Sequence, residues 1–172
     1  FDTLVIIGHD FGRHAQGLAG VLCDQSHFAT PLGQVPVDVE LVRALCRADS
    51  RLIVHNEAHA REHTIEVHLP FVQVLKPNCR IVPVFSGEVS HEHSQALVEA
   101  LRQCAGQQRI FILASTDLSH YPTAARARAF DEYTASLLRN FDVSALCAWQ
   151  QGRLWQEEGL ETPICAAGGV AA

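Results

Sequence analysis

The 172 residues are nearly half apolar and about one-fifth charged, ordinary for a globular domain and too few for two comfortable ones. A formal net charge of -6, with no stripe of lysine and arginine, removes the electrostatic case for nucleic-acid binding. No apolar run reaches the roughly 18 residues of a membrane span, and no signal-like leader opens the chain, so the expectation is a cytoplasmic protein with no membrane partner.

In chain order, Thr3 to Ile7 is a continuous β-branched run ending at Gly8, as in a parallel strand buried on both faces. Residues 9–36 are rich in Gly, His and Pro without periodicity and predict a long loop, with or without an edge strand. Val37 to Arg47 has helical spacing after a Pro, and Leu52 to Val54 reads as a short strand. Glu62 to Leu75 places Ile65, Leu69, Val72 and Leu75 on one helical face, with Pro70 predicting a kink or a late start. Arg80 to Phe85 reads as a strand, Ser90 to Cys104 as a helix with a Ser cap, and Arg109 to Ala114 as another buried strand. Thr123 to Arg139 and Val143 to Gln151 read as helices, Gly152 to Gly159 as a surface loop, and Thr162-Pro163 as the start of a last helix.

Apolar strands alternating with helices predict a single α/β domain over residues 1–172, with a central, largely parallel sheet flanked by helices. The opening on a strand and the close on Ala166 to Ala172 give the expectation of a chain cut at both ends. Six dispersed cysteines without a C-x-x-C pair point to free thiols, most of them acting as small buried hydrophobes.

Ten histidines are the unusual count, since imidazole is both a common metal ligand and the side chain that titrates near neutral pH. In open α/β sheets, functional groups gather where strands end. Gly8-His9-Asp10-Phe11 follows the first strand, and Ser115-Thr116-Asp117-Leu118-Ser119-His120-Tyr121-Pro122 follows the strand at 109–114. Asp117 and His120 suit a proton-transfer pair, the alternative being a helix cap and a surface His. His63 and Glu66 share a helical face while His68 lies well round from His63, so this is not an H-E-x-x-H zinc helix. A solvated polar face is the other reading of that segment. Cys165, at the first turn of the last predicted helix, is expected to have a lowered pKa suited to thiolate ligation.

Glu62-His63-Thr64-Ile65-Glu66-Val67-His68-Leu69-Pro70-Phe71 resembles the E-H-S-I-E-x-H-L-P motif of the Memo family, which includes the bacterial AmmeMemoRadiSam system protein B. Ile81-Val82-Pro83-Val84, Ser115 to Tyr121 and Thr162 to Gly168 extend the resemblance over nearly the whole chain. It implies the fold of the class III extradiol dioxygenases and a cluster of two histidines and a cysteine resembling a metal site. On that resemblance the family's cysteine falls on Cys165, its Asp and His on Asp117 and His120, and its helix histidines on His63 and His68. The family's first histidine lies in a P-H-A-G-Y motif upstream of the first strand, where this chain has no counterpart. Its second, in a G-P-x-H segment, falls on His9 or, with the gap placed differently, on Asp10.

Two functions follow from the resemblance. One is a redox enzyme holding iron or copper (zinc also open) on His9, Cys165 and an upstream His, with His63, His68, Asp117 and His120 shaping the pocket and moving protons. A Cys in place of the carboxylate of a facial triad argues against ordinary ring cleavage. The other is a non-catalytic cleft that binds a small molecule or peptide, or serves as accessory to a radical-SAM system.

Overall fold

The computed structural model describes residues 1–86, 91–152, 155, 162–165 and 169–170. Its strands are β1 (Thr3–His9), β2 (Gly20–Leu22), β3 (His27–Thr30), β4 (Gly33–Pro36), β5 (Leu52–Val54), β6 (Arg80–Ser86) and β7 (Ile110–Ala114). The helices are α1 (Val39–Ala48), α2 (Asn56–His59), α3 (Leu69–Leu75), α4 (His91–Cys104), α5 (Ala124–Arg139) and α6 (Val143–Gln151).

Five strands form one sheet in the order β5-β2-β6-β1-β7, and β3 and β4 form a separate hairpin. β1 pairs in parallel with both β6 and β7, so their carboxyl ends lie together; β2 pairs in parallel with β5 and antiparallel to β6. The expected α/β architecture with a largely parallel sheet is therefore present. β1 and β6 are buried at successive positions, hence on both faces of the sheet, which is why they are apolar runs rather than alternating ones. Val5, Ile6, Val82, Val84 and Phe85 are fully buried.

Helix α1 shows how sequence fixes an element. Asp38 caps it by accepting from the Leu41 N–H at 3.2 Å, and the same buried carboxylate accepts from Thr3 Oγ1 and pairs with Arg80. The cap thus also ties the helix to the start of β1 and β6, and Leu41, Val42 and Leu45 complete the contact with the core.

Several sequence expectations need correction. The stretch at 9–36 contains three strands, and β2 is an interior strand rather than an edge. With only Gly20, Val21 and Leu22 it is too short to show a period. The helix expected over 62–75 is broken: Glu66–His68 forms a 3₁₀ turn and α3 starts only at Leu69. Pro70 lies in the first turn of α3, where a missing N–H costs nothing. β7 is not buried on both faces but is an edge strand with Phe111 53% and Ile112 47% exposed. Thr162–Cys165 is turn and bend rather than helix, while most of the expected 152–159 loop and the Ser90 cap fall outside the described residues. All six cysteines are free, as expected. No helix among the described residues is long and apolar enough to cross a membrane.

Candidate metal centre

The carboxyl ends of β1 and β7 carry the site. At the end of β1, Gly8 lies so close to Thr64 that an added Cβ would stand 2.3 Å from its hydroxyl, with Ile65 behind it. Only glycine permits that approach, and it lets Thr64 Oγ1 donate to the His9 carbonyl at 3.2 Å. The Gly12 N–H donates to Glu62 Oε1 at 3.0 Å. Phe11 completes the junction: its ring meets the His9 ring edge-on at 4.5 Å and stacks on His63 at 5.7 Å and 9°. His63 thus reaches the end of β1 through Phe11 rather than by direct ligation. Asp10, the alternative second-ligand position, is buried and accepts from the Ala15 N–H and pairs with His14 Nδ1, so it braces the loop.

At the end of β7, the Ser115 N–H extends the ladder by donating to the Ile7 carbonyl at 2.8 Å. Ser115 Oγ lies 2.8 Å from His68 Nε2, which brings the other helix histidine to this loop. The loop then turns back on itself, with His120 Nε2 2.9 Å from Asp117 Oδ1. It is pinned to α5 by the Ser119 N–H donating to Asp131, and to the 162–165 segment by two backbone bonds, His120 N–H to the Thr162 carbonyl and Cys165 N–H to the Asp117 carbonyl. Tyr121 follows in the left-handed region at φ 62°, a conformation that costs a bulky side chain of order 1–3 kcal/mol.

The result is a cluster of three donor types. Ligand atoms of Asp117, His120 and Cys165 all lie within 4.8 Å of one another. The fold therefore sets Cys165 beside Asp117 and His120. His9 remains within electrostatic reach: burial lowers its pKa, while the carboxylates of Asp10, Glu62 and Asp117 partly oppose that and His120 adds to it.

The thiol corrects a sequence expectation. Its pKa is not lowered but pushed up to about 12, first by burial, then by the charge of Asp117 and the hydrogen bond to it, and also by Glu62. A helix N-terminus was to lower it, but residues 162–165 are not helical and the nearest charge is negative. Burial raises the carboxyl of Asp117, yet hydrogen bonds from His120 and Cys165 prevail and hold it below its usual range. Burial lowers the pKa of His68, which favours its neutral ring.

The donor chemistry fits a metal ion. Imidazole, thiol and carboxylate together suit iron, copper or zinc, and a cation would favour the Cys165 thiolate that burial and then the charge of Asp117 oppose. Ser86, opposite His9 in the β1–β6 register, and Ser119 each hold a buried hydroxyl without a hydrogen-bond partner, so polar capacity remains unused there. Ser115 and Glu62 were not singled out from sequence. Both stand inside motifs whose chemically conspicuous members are the neighbouring His63 and Asp117.

The family model described as Memo-like protein matches residues 1–170. A MEMO1 family protein of Methanothermobacter thermautotrophicus is 32% identical over 174 residues, covering 99% of this chain and 59% of the relative. One from Methanobrevibacter smithii is 34% identical over 69% of this chain and 43% of its own length. One from Thermococcus onnurineus is 28% identical over 98% of this chain and 62% of its own. The chain thus spans about two-fifths to three-fifths of the length of these curated relatives.

Proposed function

This chain belongs to the Memo family, and on that footing we propose that its cleft is a metal centre in which Asp117, His120 and Cys165 hold a redox-active iron or copper ion, with His9 beside them. The observation that carries the reading is the convergence of those three ligand atoms within 4.8 Å, drawn from a loop and a segment 45 residues apart in sequence.

Bound there, iron or copper would supply electron transfer or activation of a small substrate, whereas zinc would act as a Lewis acid. The protein's own contribution is to set protonation states. Cys165 must lose its proton to ligate, and with a pKa about 12 in the free cleft that proton is released on uptake. The 2.9 Å contact between His120 Nε2 and Asp117 Oδ1 keeps these two ligands together before metal uptake. His63, stacked on Phe11, and His68, held by Ser115, line the approach.

The test is elemental analysis of the intact protein purified without added metal, beside Cys165→Ala and His120→Ala. Near-stoichiometric iron or copper that falls at least tenfold in both variants is the expected outcome. Absence of bound metal in all three, after reconstitution under reducing conditions, overturns the metal centre and leaves a cleft for a small molecule or peptide.

A further inference from the structure

The cleft holds a second reactive arrangement that metal binding does not use. Ser115 is the first residue past β7, and its backbone N–H is fixed to the Ile7 carbonyl. Its hydroxyl lies 2.8 Å from Nε2 of His68, a residue 47 positions away at the end of the 3₁₀ turn. Both residues are half-buried rather than sealed, so the hydroxyl is open to a small substrate. Among the described residues no carboxylate pairs with His68, so the arrangement is a dyad and not a triad.

We propose that Ser115 and His68 form a nucleophile–base pair able to cleave small activated esters. Ser115 Oγ bonds to the carbonyl carbon as its proton passes to His68 Nε2; the proton then goes to the departing alkoxide as the ester C–O bond breaks. Water repeats the sequence on the acyl-serine, releasing the acid and restoring the hydroxyl, so one ester and one water give one acid and one alcohol. The geometry meets the first requirement of such a pair, a nucleophile within 2.6–3.2 Å of its base. Burial of His68 favours the neutral ring that can accept the proton. Without an orienting carboxylate the pair is a modest catalyst, which is why a covalent probe is a better reporter than turnover.

The inference does not rest on the metal centre, and the test keeps the two apart. The intact protein, with metal removed by a chelator, is treated with a fluorophosphonate, which bonds phosphorus to a nucleophilic serine oxygen and releases fluoride. Adducts are mapped by peptide mass spectrometry. The expected result is modification of Ser115 well above that of the exposed Ser26 and Ser144. The adduct disappears in Ser115→Ala, and its rate falls about 100-fold in His68→Gln, the usual scale of a lost general base. Labelling no greater at Ser115 than at Ser26 and Ser144, or an undiminished rate in His68→Gln, overturns the proposal. The wild-type comparison among the three serines decides the matter even where a variant fails to fold, and loss of metal from the protein leaves the expected labelling in place.

Discussion

The two walls of the site, one carrying His9 and the other the donor cluster, stand on parts of the fold packed to unequal depth. The wall that carries His9 grows from β1, which lies between β6 and β7 in a sheet whose central side chains are fully buried. The wall that carries Asp117, His120 and Cys165 rests on α5, α6 and the 162–165 segment. Among the described residues its buried apolar cluster is Leu137, Leu146 and Ile164, and β7 beside it exposes Phe111 and Ile112. The difference teaches that the rigid half positions one histidine, while the donor cluster is assembled mainly by hydrogen bonds on the thinner half. Local opening free energies follow packing of this kind, so the thinner wall is the one expected to open first.

The largest effect that would break this comparison comes from truncating one buried isoleucine on each side. Ile6→Ala, in the main core, is expected to cost about 4 kcal/mol, within the range for large-to-small core substitutions. Ile164→Ala, in the small cluster, is expected to cost about 2 kcal/mol globally, because its surroundings can relax. It should also raise hydrogen exchange selectively at Ser119 and His120. Denaturant unfolding reads the first difference and native-state exchange the second. Equal global losses with uniform exchange would show that the two walls are one body.

A somewhat smaller effect sharpens the same contrast from the rigid side. His59 is only 5% exposed, stacks on Phe85 at 4.0 Å and donates from Nε2 to the Val21 carbonyl at 3.0 Å. Burial lowers its pKa to about 4. The unfolded chain, with a His near 6.5, therefore binds a proton that the fold refuses between those two values. Stability is full above about pH 6.5 and falls as the pH drops towards 4. The loss from this one group is about 3 kcal/mol, at ~1.4 kcal/mol per pKa unit. Comparing unfolding at pH 7 and pH 4.5 in wild type and His59→Leu checks it: the variant should lose most of that slope. A slope that survives would place the acid sensitivity elsewhere.

The same asymmetry governed what could be read from the sequence. The rigid half was legible because β1 and β6 are long apolar runs whose burial on both faces leaves no other reading, and α1 announced itself by period and cap. β2 was hidden because three residues carry no period, and α2 because four residues carry little more. On the other side, Asp117 and His120 stood out as residues, but β7 looked like a doubly buried strand when its apolar side chains are partly exposed. The motif marks Cys165 as a ligand candidate, but its electrostatics are set outside the motif. A thiol's pKa depends on which charges the fold brings near, and the 48 positions that separate Asp117 from Cys165 give no local hint of that contact.

That contact allows the last and smallest prediction. Burial is the first cause of the high pKa of Cys165, and the charge of Asp117 and its hydrogen bond are the next two. Asp117→Asn removes the charge while leaving an amide oxygen that can still accept from Sγ–H, so the pKa should fall without reaching the ordinary thiol value. In exchange with a small disulfide reagent, the thiolate fraction rises tenfold for each unit recovered, but the less basic thiolate is a weaker nucleophile. The net gain is therefore only about threefold per unit. Peptide mapping separates Cys165 from the other five cysteines, none of which should change by more than the experimental scatter. A Cys165 rate that does not move would mean that the loop after β7 and the 162–165 segment do not share one electrostatic site. The donor cluster would then lose its thiol, and only an imidazole and a carboxylate would remain to argue for a metal.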